Sequence, residues 1–507
     1  MFKNVKRILS VLLSLILITS ITFAMFTTSA SSQSVTNNSY TGEAPKYVFM
    51  FIGDGMTFPQ IASAEAYLGK SIYKDTKVGI QKLSFSDFPV TGTSSTFDAT
   101  SLCPDSASTA TSISTGNKTL SGVINMDVTK KIKYKTIAEM LKEKGYKIGI
   151  VSSVSIDHAT PAAFYAHQPT RSNMYEIALE LANSNFDYFG GGGLVNPKGP
   201  KGDQPDALEI ARSKGYNIVN TKDEILALNS QSGKVIAINP ILDKDKALPY
   251  EIDRAEDDLA LANFTKKGID VLDNPNGFFM MVEGGKIDWA CHANDAGASI
   301  QDTLALEKAV NEAVQFYYKH PKETLIIVTG DHETGGLSIG FAATGYSTFF
   351  DKIGYQTRSF LEFDNKVITP YRSYISKEDA KLEDLLPYIK AYFGLVVSSD
   401  EEASKRPGMV LTDYEVQKLR DALAMTITPA KDRKLNEAEQ VIYGTYEPLS
   451  VTLTHILNNK AGIGWTSYSH TGIPTAVFTM GAGQELFNGY YDNTDIFRKL
   501  SSILKVN

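Results

Sequence analysis

Cysteine is nearly absent from this chain. Cys103 and Cys291 are the only two in 507 residues, too few for the disulfide framework that holds small secreted domains together. Each stands near a candidate site residue, so the two can lie close in space, and buried free thiols are the favoured reading. Basic charge is not in excess either. Lys and Arg number 50 against 57 Asp and Glu, a formal charge of −7, which argues against nucleic acid as a partner. An anionic ligand would need a locally cationic site, built from metal ions and a few arginines. Beyond the first thirty residues no run is long and apolar enough to span a bilayer. No internal repeat or low-complexity tract is evident. A hydrophobic content of 43% is ordinary for a globular protein, and the length suits one large α/β domain with insertions, or two domains.

The one long apolar run lies at the N-terminus. Lys3, Lys6 and Arg7 precede apolar residues from Ile8 to about Met25, and Thr28-Ser29-Ala30 offers small residues for cleavage. This is the pattern of an export signal over residues 1–30. An uncleaved membrane anchor is the alternative. Export implies a secreted, periplasmic or cell-surface protein. Loss of those three basic residues takes the formal charge from −7 to −10. Residues 31–45 are polar at first and read as a flexible lead-in to a catalytic region over 46–507.

From there apolar strands alternate with amphipathic helices. Tyr47–Ile52, Lys147–Val151, Gly277–Val282, Leu325–Thr329 and Thr475–Met480 are apolar on both faces, as in a sheet covered by helices. Helical patterns cover Thr136–Lys144, Met174–Asn183, Asp206–Lys214, Asp253–Leu272 and Thr303–Tyr318. The alternation predicts an α/β fold, a doubly wound and mostly parallel sheet flanked by helices. Between Gly340 and Pro448 aromatic, loop-like sequence gives way to charge-rich helices, which reads as an inserted helix-rich subdomain. Two helix starts stand out there, Ser376-x-x-Asp379 and Thr412-x-x-Glu415.

The polar residues cluster at one kind of place. Asp54 follows VFMFIG, Glu283 follows FFMMV, and Asp331-His332 follows LIIVTG. Asp157, His158 and Thr160 lie shortly after IGIVSSV. Ligands of open parallel sheets bind outside the carboxyl ends of the strands, so four strands deliver Asp, Glu, His or Thr to one edge. Asp288 and His292, spaced i, i+4, share one face if helical and can hold one metal. His470 sits in the small-residue loop SYSHTG. Ser106, beside Asp105, opens the run SASTATSIST. Asp105 or Ser106 can cap a helix there, and a helix start also offers N–H groups to an anion. Arg171 lies in a polar loop, QPTR, where it is a candidate bidentate phosphate clamp in the company of the other groups. The set reads as a serine nucleophile among divalent metals, since a bound Zn²⁺ can activate a hydroxyl without a histidine base.

These residues fall in six ordered motifs: GDGM at Gly53, PDSASTATSISTG from Pro104, ATPAAFYAH from Ala159, VEGGKIDWACH from Val282, TGDHETGG from Thr329 and SHTG from Ser469. In them the chain closely resembles the alkaline phosphatase family, from about Lys46 to Leu337 and again from about Leu453 to Gly483. The resemblance implies hydrolysis of small phosphomonoesters through a phosphoseryl intermediate on Ser106, with Arg171 holding two phosphate oxygens. It implies one zinc on Asp288, His292 and His470, and a second on Asp54, Asp331 and His332. A third ion, Mg²⁺, would be shared by Asp54, Thr160 and Glu283. His158 stands where some bacterial members carry Asp, and Trp289 where some carry Lys, so His158 joins the third-site residues and Zn²⁺ or Co²⁺ becomes an alternative to Mg²⁺. A homodimer is implied as well. The enzyme alternatives are a related phosphodiesterase or a sulfatase. A sulfatase would need Cys-x-Pro-Ser-Arg or its serine variant, which CPDSA at Cys103 is not. A non-catalytic exported metal- or phosphate-binding protein is the alternative of a different class.

Overall fold

The computed structural model describes residues 40–70 and 78–506. The export-signal reading, and most of the lead-in, lie outside them. Residues from Gly42 onward form one compact unit. Among the described residues no helix is long and apolar enough to cross a membrane.

The strands are β1 (Tyr47–Gly53), β2 (Val90–Ser95), β3 (Lys147–Ser152), β4 (Tyr188–Gly191), β5 (Tyr216–Val219), β6 (Lys234–Ile238) and β7 (Phe278–Gly284). They continue with β8 (Thr324–Gly330), β9 (Glu333–Thr334), β10 (Ser338–Ile339), β11 (Ile463–Gly464), β12 (His470–Thr471), β13 (Thr475–Gly481) and β14 (Gly489–Asp492). Ten of them make one sheet, ordered β14-β2-β13-β8-β1-β7-β3-β4-β6-β5. All pairings in it are parallel except those of β13, which runs antiparallel to both β8 and β2. The sheet is thus α/β and mostly parallel, as the alternation predicts, with the last long strand reversed. That reversal places the segment leading into β13 at the same edge as the carboxyl ends of the parallel strands.

Every residue of β1, β7 and β8 is buried, which is why these segments are apolar on both faces. Helices α1 (Phe58–Gly69), α2 (Ser106–Thr115), α3 (Leu261–Leu272), α4 (Lys286–His292) and α5 (Ala296–Lys319) carry or support the site. On one face of the sheet Phe316 of α5 meets Tyr47, Phe49 and Phe278 with ring centroids 4.8, 5.7 and 5.5 Å apart, edge-on geometries that aromatic pairs favour.

The helix patterns at Thr136–Lys144, Met174–Asn183 and Asp206–Lys214 are borne out as Ile137–Glu143, Met174–Asn183 and Ala207–Ser213, with Thr136 and Asp206 as N-caps. Two others shift. The pattern from Asp253 becomes helical only at Leu261, because the Arg254 guanidinium holds the carbonyls of Ala255 and Asp258 in a turn, at 2.8 and 2.9 Å. The pattern from Thr303 starts earlier, at Ala296, behind an Asp295 cap. Its first turns, AGAS, are too small to show an apolar period.

Between Gly340 and Pro448 the helices include Leu382–Phe393, α6 (Asp413–Ile427) and α7 (Glu437–Tyr443), and α8 (Pro448–Ala461) follows. Their buried residues, among them Phe363, Leu385, Ile389 and Leu419, join the same hydrophobic core as the sheet. Thr412 caps α6 as expected. Ser376 and Asp379 bond each other but close only a turn. The clearer second start is Asn436-x-x-Glu439, a full capping box on α7 that the sequence reading missed.

Phe316 is the side chain that seats the longest helix on the central strands, so Phe316→Ala should cost about 3–5 kcal/mol of folding free energy. Urea denaturation read by fluorescence would show it, and a loss under about 1 kcal/mol would mean that α5 is held by its other contacts.

Candidate active site

Strand register builds the site. Ile52 of β1 pairs with Glu283 of β7 and with Thr329 of β8, and Gly53 pairs with Gly284 and Gly330. Asp54, Glu283 and Asp331 therefore leave three adjacent parallel strands at nearly one level. Ser152 of β3 pairs with Glu283 on the other side and hydrogen-bonds its carboxylate. All three acids are buried. Gly55, at φ +69°, lets the chain turn away: a Cβ there would come within 2.8 Å of Thr334 Oγ1 and 3.0 Å of the Asp288 backbone.

Ser106 is the first residue of α2, and Asp105 is its N-cap, accepting the Ser108 N–H at 3.0 Å. The Ser106 hydroxyl lies 3.1 Å from His332 Nε2 and 3.4 Å from Asp54 Oδ1. The first amides of α2 have no partner within the helix. Asp105 also binds Arg171, whose Nη1 lies 3.0 Å from its Oδ2. Capping and site-building are thus one residue's work, since the carboxylate that starts the helix holds an arginine beside the serine. Arg171 Nη2 donates to His158 Nε2 at 3.2 Å. Burial, then the Arg171 charge, push the His158 imidazole down to about 3, so it is a neutral acceptor.

Asp288 and His292 lie on α4 and do share a face, with Nε2 and Oδ2 3.3 Å apart. His470 opens β12, whose two residues pair with β9, His470 with Thr334 and Thr471 with Glu333. That small ladder, and the reversed β13 behind it, bring His470 Nε2 to 3.6 Å from Asp288 and 3.1 Å from His292 Nε2. His332 Nε2 lies 3.3 Å from Asp54 and 3.4 Å from Asp331. Thr160 Oγ1 lies 3.4 Å from Asp54 Oδ2. Three groups of ligand atoms converge to within 4.8 Å: Asp288, His332 and His470; Asp54, Asp331 and His332; and Asp54, His158 and Glu283. His292 is left out of the first group, yet its distances to Asp288 and His470 put it in the same cluster.

The donor chemistry fits metal ions. His292 Nδ1 lies 2.5 Å from the Tyr468 carbonyl and His470 Nδ1 lies 2.6 Å from the Pro104 carbonyl. A carbonyl only accepts, so both Nδ1 atoms carry a hydrogen and both Nε2 atoms are turned toward the site. These face each other at 3.1 Å, a contact that either a shared proton or a bound metal ion satisfies. Burial lowers the His292 pKa, but the Asp288 charge, its hydrogen bond and the Tyr468 carbonyl together outweigh it and carry the group up to about 9. Asp288 lies well below the carboxylate range. Burial would raise it, and His292, His470 and His332 pull it down. Burial and neighbouring acids hold Asp54 well above that range, while Asp331 rises to about 8 and Glu283, mainly through burial, to about 7. Glu283 Oε1 is buried with no hydrogen-bond partner. A cluster of acids that burial disfavours as anions, lined with imidazole nitrogens, is stabilised by divalent cations.

Known proteins agree with this geometry. A family profile described as Alkaline phosphatase matches residues 45–506. The chain belongs to the alkaline phosphatase family. It is 32% identical to alkaline phosphatase 3 of Bacillus subtilis, over 91% of this chain and 89% of that protein. The crystal structure of a cold-active alkaline phosphatase from a Shewanella species superposes with a TM-score of 0.72 at 28% identity, covering 90% of this chain and 99% of that one. A histidine-to-glutamate variant of the alkaline phosphatase from the Antarctic bacterium TAB5, with Mg bound in its M3 site, gives 0.61 at 25% identity, covering 92% and 99%. The protein is therefore a hydrolase of this family, with the family's α/β fold.

The structure brings the serine, arginine and metal-ligand candidates together, whereas Asp157 accepts the Val195 N–H at 2.9 Å and joins none of the three groups. The structure also adds some residues. Glu333 is buried and accepts four hydrogen bonds from three segments. Gln60 of α1 donates at 2.9 Å, the Gly336 and Leu337 N–H groups at 3.0 Å each, and Thr471 Oγ1 completes the set. It thereby ties the His332 loop, the His470 ladder and the helix after Asp54 together. Thr334 Oγ1 lies 2.5 Å from Asp288 Oδ1 and 3.3 Å from His332 Nδ1, fixing both. Both residues stand inside TGDHETGG, one and two positions past His332, and adjacency was the signal that could have found them. Lys286 of α4 is fully buried, 2.8 Å from Asp243 and over the Tyr250 ring. The cysteines are both free, and only Cys291 is buried. Cys103 is exposed, contrary to the expectation of two buried thiols, because it sits in the irregular loop ahead of α2.

Glu333→Gln would turn one acceptor into an amide donor facing donors. It should cost about 1–3 kcal/mol of stability and speed the loss of bound metal to a chelator. Lost stability with unchanged metal retention would show that Glu333 braces the fold alone.

Proposed function

We propose that the chain hydrolyses phosphate monoesters through a phosphoserine on Ser106, at a site of two zinc ions and one magnesium ion. The observation that carries this reading is the position of the Ser106 hydroxyl. It sits at a helix N-terminus, between His332 and Asp54, with Arg171 held alongside by their shared neighbour Asp105. Asp288, His292 and His470 would hold one zinc, and Asp54, Asp331 and His332 the other. Asp54, Thr160 and Glu283 would hold the magnesium, with His158 beside it. The Mg in the M3 site of the TAB5 variant supports this third assignment. An imidazole in that position also admits Zn²⁺ or Co²⁺.

Bound cations there supply the positive charge that the entering and leaving oxygens of an in-line displacement require. The rest is done by the chain. Arg171 takes two phosphate oxygens in its planar fork, oriented by the Asp105 carboxylate and the neutral His158 nitrogen. The α2 amides face the anion. The Ser106 oxygen attacks phosphorus and gives up its proton, the P–O bond to the leaving group breaks, and the departing oxygen takes up a proton as the alcohol. Water then attacks phosphorus, the P–Oγ bond breaks, the water oxygen leaves in inorganic phosphate, and Ser106 regains its hydroxyl proton. Positioning and charge do most of the work in such transfers.

Ser106→Ala should keep the fold and bound metal and lose about a thousandfold or more in phosphate release from p-nitrophenyl phosphate. Near-full activity in that variant would refute the nucleophile assignment. Arg171→Ala should weaken inhibition by inorganic phosphate and cost about 2–4 kcal/mol in kcat/KM. Unchanged phosphate inhibition would place Arg171 outside the phosphate site. Activity towards a monoester but not a diester, abolished by chelator and restored by zinc with magnesium, separates the proposal from a phosphodiesterase and from a binding protein.

A further inference from the structure

A cleft of about 900 Å³ opens beside the histidine cluster, away from Ser106. Its walls come from α7 and its flanks, from α8 and from the loop leading into β12. Ser469 on its wall immediately precedes His470, and Asn294 lies two residues beyond His292. Resting on the phosphomonoesterase reading, we propose that this cleft receives the alcohol portion of the substrate, and that it selects an uncharged, ring-bearing group.

Two arguments carry this. The first is directional. Ser106 lies on the Asp54–His332 side of the site, at 3.4 and 3.1 Å. In an in-line displacement the departing oxygen leaves on the opposite side, toward Asp288, His292 and His470, where the cleft lies. Tyr468 on its wall accepts the His292 Nδ1 hydrogen at 2.5 Å through its backbone carbonyl, which puts the cleft beside that histidine. The second argument is chemical. Tyr446 and Tyr468 lie with ring centroids 5.9 Å apart, Trp465 lines the cleft with them, and Leu435 and Val441 add apolar surface. No acid lines it. Its one arginine, Arg433, is committed to the carbonyls of Met425, Thr426 and Thr428 and to Glu447. Burial and Lys418 push His455 down to about 4, so it is neutral, and it bonds Asn294. A second phosphate or a carboxylate would find, as its only lining cation, a guanidinium already paired with Glu447. A ring would find the aromatic side chains of Tyr446, Tyr468 and Trp465. The segment 340–448 thus supplies a specificity wall through Leu435, Val441 and Tyr446.

The test uses the full chain loaded with zinc and magnesium, and two non-hydrolysable inhibitors, 3-phenylpropylphosphonate and propylphosphonate. The phenyl compound should inhibit about tenfold more tightly. Filling the cleft from its exposed rim with Val441→Trp, or separately Gln440→Trp, should bring the ratio of the two inhibition constants to within about twofold of unity. Equal inhibition of wild type by both compounds overturns the assignment, as does a preference that both rim variants leave intact. Phosphate release from ethyl phosphate is measured alongside. Release without a ring preference overturns the cleft assignment alone. A ring preference without release overturns the hydrolytic reading and leaves the cleft as a binding site.

Discussion

Three buried carboxylates at one level of a sheet are the constraint on which the rest depends. Parallel pairing of β7 and β8 on either side of β1 stacks Asp54, Glu283 and Asp331 at the carboxyl edge, where burial and mutual repulsion push their pKa values up. A fold does not retain such a cluster without opposite charge close by. Imidazoles and arginine meet part of the need. The converging carboxylate and imidazole atoms are suited to bind metal ions that would meet the remainder.

That need explains the density of hydrogen bonds behind the ligands. Metal-binding groups must be held before the metal arrives, or the ordering entropy weakens binding. Thr334 fixes Asp288 and His332 together. Glu333 fixes the loops on both sides of them and reaches Gln60 behind Asp54. Asp105 does the same on the phosphate side, starting α2 and orienting Arg171 through one carboxylate. The site therefore stands on short connections between rigid elements.

The apolar runs made β1, β3, β7, β8 and β13 legible, because strands covered on both faces have few polar positions. The carboxyl-edge location of Asp54, Glu283 and Asp331 followed from sequence order alone. Less legible were boundaries set by distant or irregular contacts: the start of α3, displaced by the Arg254 turn, and the first turns of α5, whose small residues carry no period. Cys103 was misread because exposure of a loop cysteine depends on what packs over it.

Residue types, their order and the six motifs were determined by the sequence by itself, and with them the chemistry of the donors. Only the tertiary structure decided which donors meet. His470 lies 139 positions beyond Asp331, and nothing in SYSHTG says that its strand runs antiparallel. That one reversal brings it to the edge where the parallel strands end. Likewise the cleft wall is made by α7 and the loop before β12, distant in sequence, whose meeting is set by burial of the apolar faces of the inserted helices in the common core. Local pattern reports periodicity and composition. Long-range register and packing depend on the free energy of the whole buried surface, which no short window of sequence contains.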